Sequence, residues 1–356
     1  MIATSNILSF RMPVTDKNTP YFLLAAADLH GGFKAWFRKG KCWCLRPKLN
    51  KWLKSFAKAA KENEEQVTFG EKYSFLSFAG DLVENGAYKE YWADLFQCMN
   101  PILSQRAFIT SIGNHDYYSG GIWRGSWKGG WKRTCKNFHS FVQTPGSNGQ
   151  NGHYFSLDVG NLHIVYVDSN TPKNHMGKAD ITCESKQWEW LKNDLALWRK
   201  NFHEKNGTKF CIVFVHSAIF SIGYFGRKIK NADYYTQQYL TPLFRKYGVN
   251  LCIFGHDHIY QRSTWKETTY LCLGLSGGIK IKYYKDQDEA GSASVYVKFQ
   301  KRKILFKQIF YEKGGVCETK QKNVPDCTRR CSYLFLLNHA WGCGGRLAPA
   351  YPRRRP

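Results

Sequence analysis

No apolar run in this chain approaches the roughly 20 residues that a helix needs to cross a bilayer, and no segment reads as transmembrane. The opening stretch, Met1–Pro20, lacks the basic-then-apolar profile of a secretory signal. Two readings stay open for the compartment: a protein kept inside the cell, or a chain whose true N-terminus is missing. Acids are the scarcest chemistry, with 27 Asp and Glu against 52 Lys and Arg and a net charge of +25. The shortage is also local. No acid lies between His30 and Glu62, where ten Lys and Arg run from Lys34 to Lys61, and none follows Asp326. Such a balance favours anionic partners: phosphate esters, nucleic acid or acidic membranes. A lysine-rich solvated surface is the plainer account. The Lys34–Lys61 segment supports the sharper expectation of a basic lip over a site. Internal repeats are absent. Among 12 cysteines, Cys317, Cys327, Cys331 and Cys343 show no zinc-ligand spacing, while Cys211, Cys252 and Cys272 lie in apolar runs and read as small buried hydrophobes.

Apolar residues make up 43% of the 356, enough for one large domain with a small appendage. Tyr21–Ala27, Tyr73–Ala79, Ala107–Ile112, Phe210–Val215 and Val249–Phe254 are continuous apolar runs, as expected of strands buried on both faces. Pro47–Glu64, Tyr88–Met99, Glu184–Arg199 and Tyr234–Tyr247 carry apolar residues at helical spacing. His153–Asp158 and Leu162–Asp168 read as a hairpin, and Tyr270–Leu275, Ser294–Gln300 and Ile304–Tyr311 as further strands. The alternation predicts an α/β fold with enough strands for two sheets. Tyr117–Arg133, rich in Gly and Trp with interleaved Arg and Lys, reads as a long loop that packs its own tryptophans. A base- and phosphate-binding role is the second reading. The basic, Gly- and Pro-rich stretch from 314 to 356 reads as a disordered tail.

Metal-binding residue types stand at the ends of these runs. They are Asp28-Leu29-His30, Gly80-Asp81, Gly113-Asn114-His115-Asp116, His216 and Gly255-His256-Asp257-His258. In α/β sheets ligands gather outside the carboxyl ends of strands. Carboxylate, imidazole and amide oxygen are the donors that hard or borderline divalent ions take. Side chains two apart in an extended segment point the same way, which would pair Asp28 with His30 and His256 with His258. Asp81 could bridge two ions through its two oxygens. Taken singly, Asp81 would be a turn former and His216 a buried imidazole. The ordered set points to a metal site.

The set resembles the calcineurin-like metallophosphoesterase family, in its purple-acid-phosphatase-like branch. The likeness covers roughly Thr19 to Tyr311 and includes the Gln187-Trp188-Glu189-Trp190-Leu191 helix. It implies an α/β four-layer αββα sandwich of two mixed β-sheets flanked by helices. It also implies two divalent or trivalent metal ions, of Fe, Mn or Zn. One would be held by Asp28, His30, Asp81 and His258, the other by Asp81, Asn114, His216 and His256. His115 would be the general acid and Asp116 would orient its ring. Two departures stand out. Glu84 occupies the place of the tyrosine that colours purple acid phosphatases, so no purple band is expected. Ser217 replaces a second His, which removes a third phosphate-binding imidazole.

The expected function is an acid-phosphatase-like phosphomonoesterase. Hydroxide formed from water between two metals attacks phosphorus, and the His115 imidazole protonates the leaving alcohol. A phosphodiesterase or nucleotide phosphohydrolase using the same site is the alternative. A catalytically inactive scaffold and a charge-driven nucleic-acid binder are weaker readings. The expected partner is a phosphorylated small molecule or a polyanionic phosphoester. The expected division is an extension at 1–18, a metallophosphoesterase domain at 19–313 and the tail at 314–356.

Overall fold

The computed structural model describes residues 21–32, 36–38, 41–43, 75–103, 107–117, 135–145, 152–169, 185–202, 210–223, 225, 232–274, 292–300, 303–312 and 315–317. The N-terminal extension, the basic lip beyond two short strands, the Pro47–Glu64 helix, the tryptophan-rich loop and most of the tail lie outside the described residues.

Two six-stranded sheets form the centre. In the first, β1 (Tyr21–Ala26), β4 (Phe75–Ala79) and β5 (Phe108–Ser111) run parallel. β12 (Ser292–Gln300), β13 (Lys303–Glu312) and β14 (Gly315–Cys317) continue it antiparallel from β1. Thus three residues from the stretch expected to be tail pair with the sheet. In the second sheet, β7 (Leu162–Val167), β8 (Phe210–Val215), β9 (Leu251–Phe254) and β11 (Thr268–Leu273) are parallel. β6 (Phe155–Val159) and β10 (Tyr260–Trp265) close its two edges antiparallel. A small hairpin of β2 (Trp36–Arg38) and β3 (Lys41–Trp43) stands apart.

Strand alternation builds three cores at once. On β1 and just past its end, Leu23, Ala25 and Ala27 face the second sheet and meet Ile212, Phe214, Ile253 and Leu271. Leu24 and Ala26 face outward, onto Trp92, Leu95 and Met99 of helix α1 (Lys89–Leu103) and Phe138 of α2 (Lys136–Phe141). On β8, Cys211, Val213 and Val215 face outward under α3 (Lys186–Phe202) and α4 (Ala232–Tyr247). Trp188, Leu191, Leu195 and Trp198 form the α3 stripe at helical spacing. The layers are helix, sheet, sheet, helix, and each fully buried Leu or Phe contributes about 1.5–3 kcal/mol. Ser185 starts α3 by accepting the Trp188 amide at 3.1 Å. Ser77 on β4 reaches across the inter-sheet core to the Tyr166 hydroxyl at 2.7 Å. Tyr166 stacks between Phe155 and Phe214, with centroids 4.8 and 5.1 Å away.

At the outer edge, His163 on β7 ties the hairpin to α3. Its Nδ1 meets Asp158 at 2.7 Å and its Nε2 meets Asp194 at 3.0 Å. Burial alone would lower its pKa, but the two carboxylates outweigh burial and push it up to about 9. A raised folded-state pKa means the contribution is fully present below about 6.5 and is lost as pH rises through about 9. Replacing His163 by glutamine should therefore cost roughly 1–3 kcal/mol in mild acid. The gap between wild-type and variant thermal midpoints should narrow by pH 10. A gap constant with pH would refute the ion-pair account.

Candidate metal centre

The parallel strands end at one edge of the sandwich, and the loops that follow them are laced together. The Asp28 amide donates to Gly80 O at 3.0 Å, His30 to Asp81 O at 3.1 Å and Gly31 to Leu82 O at 2.9 Å. This lacing holds β1 and β4 loops in step past the last strand pair. The side chains do not converge by strand alternation, as two-residue spacing suggests. Asp28, His30, Asp81 and His256 all take positive φ, of 56°, 49°, 51° and 69°. Left-handed backbone at four non-glycine residues is costly and clusters where function holds it in place. The motif glycines have a steric reason: a Cβ on Gly113 would collide with the Asp81 carboxylate, and one on Gly255 with Asp28.

Two donor groups are made of the expected ligands: Asp28, His30 and His258 form one, and Asp81, His216 and His256 the other. A third, of His30, Glu84 and His115, shares His30 with the first. His258 Nε2 lies 3.4 Å from Asp28 Oδ1 and 3.2 Å from His30 Nε2. His216 Nε2 lies 3.3 Å from Asp81 Oδ2 and 3.0 Å from Asn114 Oδ1. Asp81 Oδ2 is also 3.8 Å from His30 Nε2, so a single oxygen faces both groups. Asp81 Oδ1 accepts the His115 amide at 2.8 Å.

The imidazoles are oriented from behind. His216 Nδ1 donates to Ala79 O at 2.8 Å and His30 Nδ1 to Glu84 Oε2 at 2.7 Å, leaving each Nε2 facing inward. Burial would raise the Asp81 carboxyl, but His216 and His115 hold it well below the usual carboxylate range. Burial would lower His216; Asp81 outweighs it and pushes it up to about 10. Asp28 is likewise lowered against burial, by His258 and His30. Buried carboxylates and imidazoles converging with inward-facing Nε2 atoms are a donor set that fits divalent ions.

His115 stands at the mouth, with a side chain 25% exposed and Nε2 3.9 Å from Asp81 Oδ2. Asp116 was expected to orient its ring, and the geometry corrects this. The buried Asp116 carboxylate accepts the amides of Leu82, Val83 and Gly113 at 3.0, 3.3 and 2.9 Å. It ties the loops together, and burial and then the Asp81 charge push it up to about 7. His115 Nδ1 instead donates to the Glu84 carbonyl at 2.6 Å. Glu84 thus holds two imidazoles, one through its carboxylate and one through its backbone, a role invisible when it is read only as a missing tyrosine. Glu84→Ala should weaken binding at the Asp28 group by about 10–100-fold. Ion titration of stripped protein measures this, and an unchanged affinity would remove the assignment. Phe225, which the sequence did not single out, stacks on His256 at 3.9 Å between centroids.

Among the described residues no helix is long and apolar enough to cross a membrane. Solved structures with this fold include purple acid phosphatase PPD1 from yellow lupin (Lupinus luteus) seeds. It has a TM-score of 0.61 and 15% identity, over 86% of this chain and 54% of that one. The fold also matches GAP50, the anchor in the inner membrane complex of Plasmodium, with a TM-score of 0.50 and 16% identity over 92% of this chain and 99% of that one. Similar curated proteins from Arabidopsis thaliana are probable inactive purple acid phosphatase 9 and probable purple acid phosphatase 20. The first is 25% identical over 58% of this chain and 34% of its own length, the second 25% over 53% and 40%. The chain thus spans well under half the length of these curated relatives. A family model described as calcineurin-like phosphoesterase matches residues 23–260, and the chain belongs to that family.

Proposed function

We propose that the protein is a phosphoester hydrolase acting on monoesters through two metal ions held at this edge. The observation that carries the reading is the single Asp81 oxygen facing both donor groups, with His115 Nε2 turned toward it from the mouth. Asp28, His30, Asp81 and His258 would hold one ion and Asp81, Asn114, His216 and His256 the other. When bound, such a pair lowers the pKa of water and neutralises charge on the phosphoryl oxygens. The chain's own residues do the rest. Ala79 O and Glu84 fix the inward nitrogens of His216 and His30. Asp116 locks the Leu82–Val83 and Gly113 amides that set the Asp81 and His115 loops. The Glu84 carbonyl places the His115 proton on Nδ1, so an added proton sits on Nε2, where a leaving oxygen can take it. The net charge of +25 suits a phosphorylated substrate.

A second reading, a non-catalytic anchor, is favoured by the match along nearly the whole of the Plasmodium anchor's length. One experiment separates the readings. Protein stripped of metal is assayed on an aryl monophosphate and a bis-aryl phosphate, with Zn, Mn or Fe added back singly. Metal-dependent hydrolysis favouring the monoester is expected. Preference for the diester would move the assignment to a phosphodiesterase. Absence of hydrolysis with fewer than one bound ion would favour the anchor.

A further inference from the structure

A second polar cluster lies outside the paired donor groups. His153, just before β6, and His139, on α2, face each other with Nε2 atoms 3.2 Å apart and ring centroids 4.8 Å apart. His153 Nδ1 contacts Asp168 Oδ2 at 2.8 Å, and the buried Tyr117 hydroxyl donates to the same oxygen. Asp168 is itself clamped: its amide donates to Gln187 Oε1 at 2.9 Å and its carbonyl accepts Gln187 Nε2 at 2.8 Å. The carboxylate therefore draws the His153 proton to Nδ1 and leaves an Nε2 lone pair pointing at His139.

The same arrangement occurs once more among the described residues, in the candidate metal centre. There His30 and His258 also oppose Nε2 to Nε2 at 3.2 Å, with centroids 4.9 Å apart, and a carboxylate holds His30 Nδ1. Two nitrogens each about 2.0–2.1 Å from a tetrahedral zinc-class ion lie about 3.3–3.4 Å apart, which this spacing approaches. Carboxylate–histidine–metal is a recurrent way of fixing a ligand tautomer. Burial and the neighbouring His153 both lower the His139 pKa, which keeps its ring in the neutral, metal-binding form. Both imidazoles are partly exposed, so an ion can reach them.

We propose that His139 and His153 form a separate, mononuclear site for a zinc-class divalent ion, oriented by Asp168 and Tyr117, that pins α2 to the segment entering β6. Water would complete the coordination. The argument borrows its geometric parallel from the metal reading of His30 and His258, and the test keeps the two apart. Chelator-stripped full-length chain is titrated with Zn²⁺ in competition with a chromophoric chelator, and with Co²⁺ to follow ligand-field absorption. His139→Gln keeps a donor toward His153 but loses the imidazole. It should bind one equivalent fewer than wild type while retaining metal-dependent hydrolysis. His153→Ala should lose the same equivalent. Asp81→Ala should lose ions from the paired groups and keep this one. If both histidine variants bind as many ions as wild type, the pair is a hydrogen bond only and the proposal fails, whatever Asp81→Ala shows. If Asp81→Ala leaves the count unchanged while His139→Gln lowers it, the paired-ion reading fails and this one stands. Should His139→Gln melt at lower temperature than wild type even without metal, the His153→Ala count decides.

Discussion

Replacing Asp81 by alanine is expected to slow phosphoester hydrolysis by about a thousand-fold or more, a loss of roughly 4 kcal/mol of transition-state stabilisation. The bound-ion count should fall as well. Asp81 Oδ2 lies within 4 Å of imidazoles from both donor groups, 3.3 Å from His216 and 3.8 Å from His30. Breaking a buried charge pair also costs about 3–5 kcal/mol in stability, so folding must be verified by melting before rates are compared. Asp81→Asn separates the effects. It keeps the shape and an acceptor for the His115 amide while removing the charge, and it should follow the alanine variant in rate. Rates within ten-fold of wild type with a full ion count would overturn the assignment.

His115→Ala should behave oppositely: ions retained, turnover reduced by about 10²–10⁴-fold. The ring groups with His30 and Glu84 and lies outside the Asp28 and Asp81 groups, and its backbone amide, which the substitution leaves intact, supports Asp81. The defect should also depend on the leaving group. An alkyl phosphate needs its departing oxygen protonated, whereas a nitrophenolate departs with little help, so the deficit should shrink on the aryl ester. A uniform deficit on both substrates would point to a positioning role. Lost ions would mean that His115 is a ligand.

The positions of the site residues were legible because the central strands are buried on both faces. A strand such as Phe210–Val215 must be apolar throughout, so the first polar residue after it marks the sheet edge. An α/β fold with two sheets follows from the same runs and from stripes such as Trp188–Trp198, while the four-layer order was what the family resemblance implied. What escaped the sequence is governed by partners distant in the chain. The resemblance implied that Asp116 orients the His115 ring, yet its carboxylate turns to Leu82 and Val83, over thirty residues away. Glu84 shows its role only once His30, fifty-four residues earlier, folds against it. Helix α2 carries little periodic signal: its N-cap, Cys135, makes no side-chain cap bond, and Phe138 is its buried residue. β10 alternates buried and exposed residues with Gln, Arg and Ser in its run, as an edge strand does, and lacks the continuous apolar run that marks the central strands.

The cross-sheet contact between Ser77 and the stacked Tyr166 has a bearing on chemistry far from it. Asp28, Asp81 and Asn114 hang from one sheet and His216, His256 and His258 from the other. Sliding one sheet past its neighbour by a single residue would move a candidate ligand by about 3.3 Å, whereas coordination of an ion would tolerate about 0.2 Å. The centre is therefore a gauge of inter-sheet alignment, and the buried hydroxyl pair and aromatic stack belong to the calibration of that gauge as much as to the core.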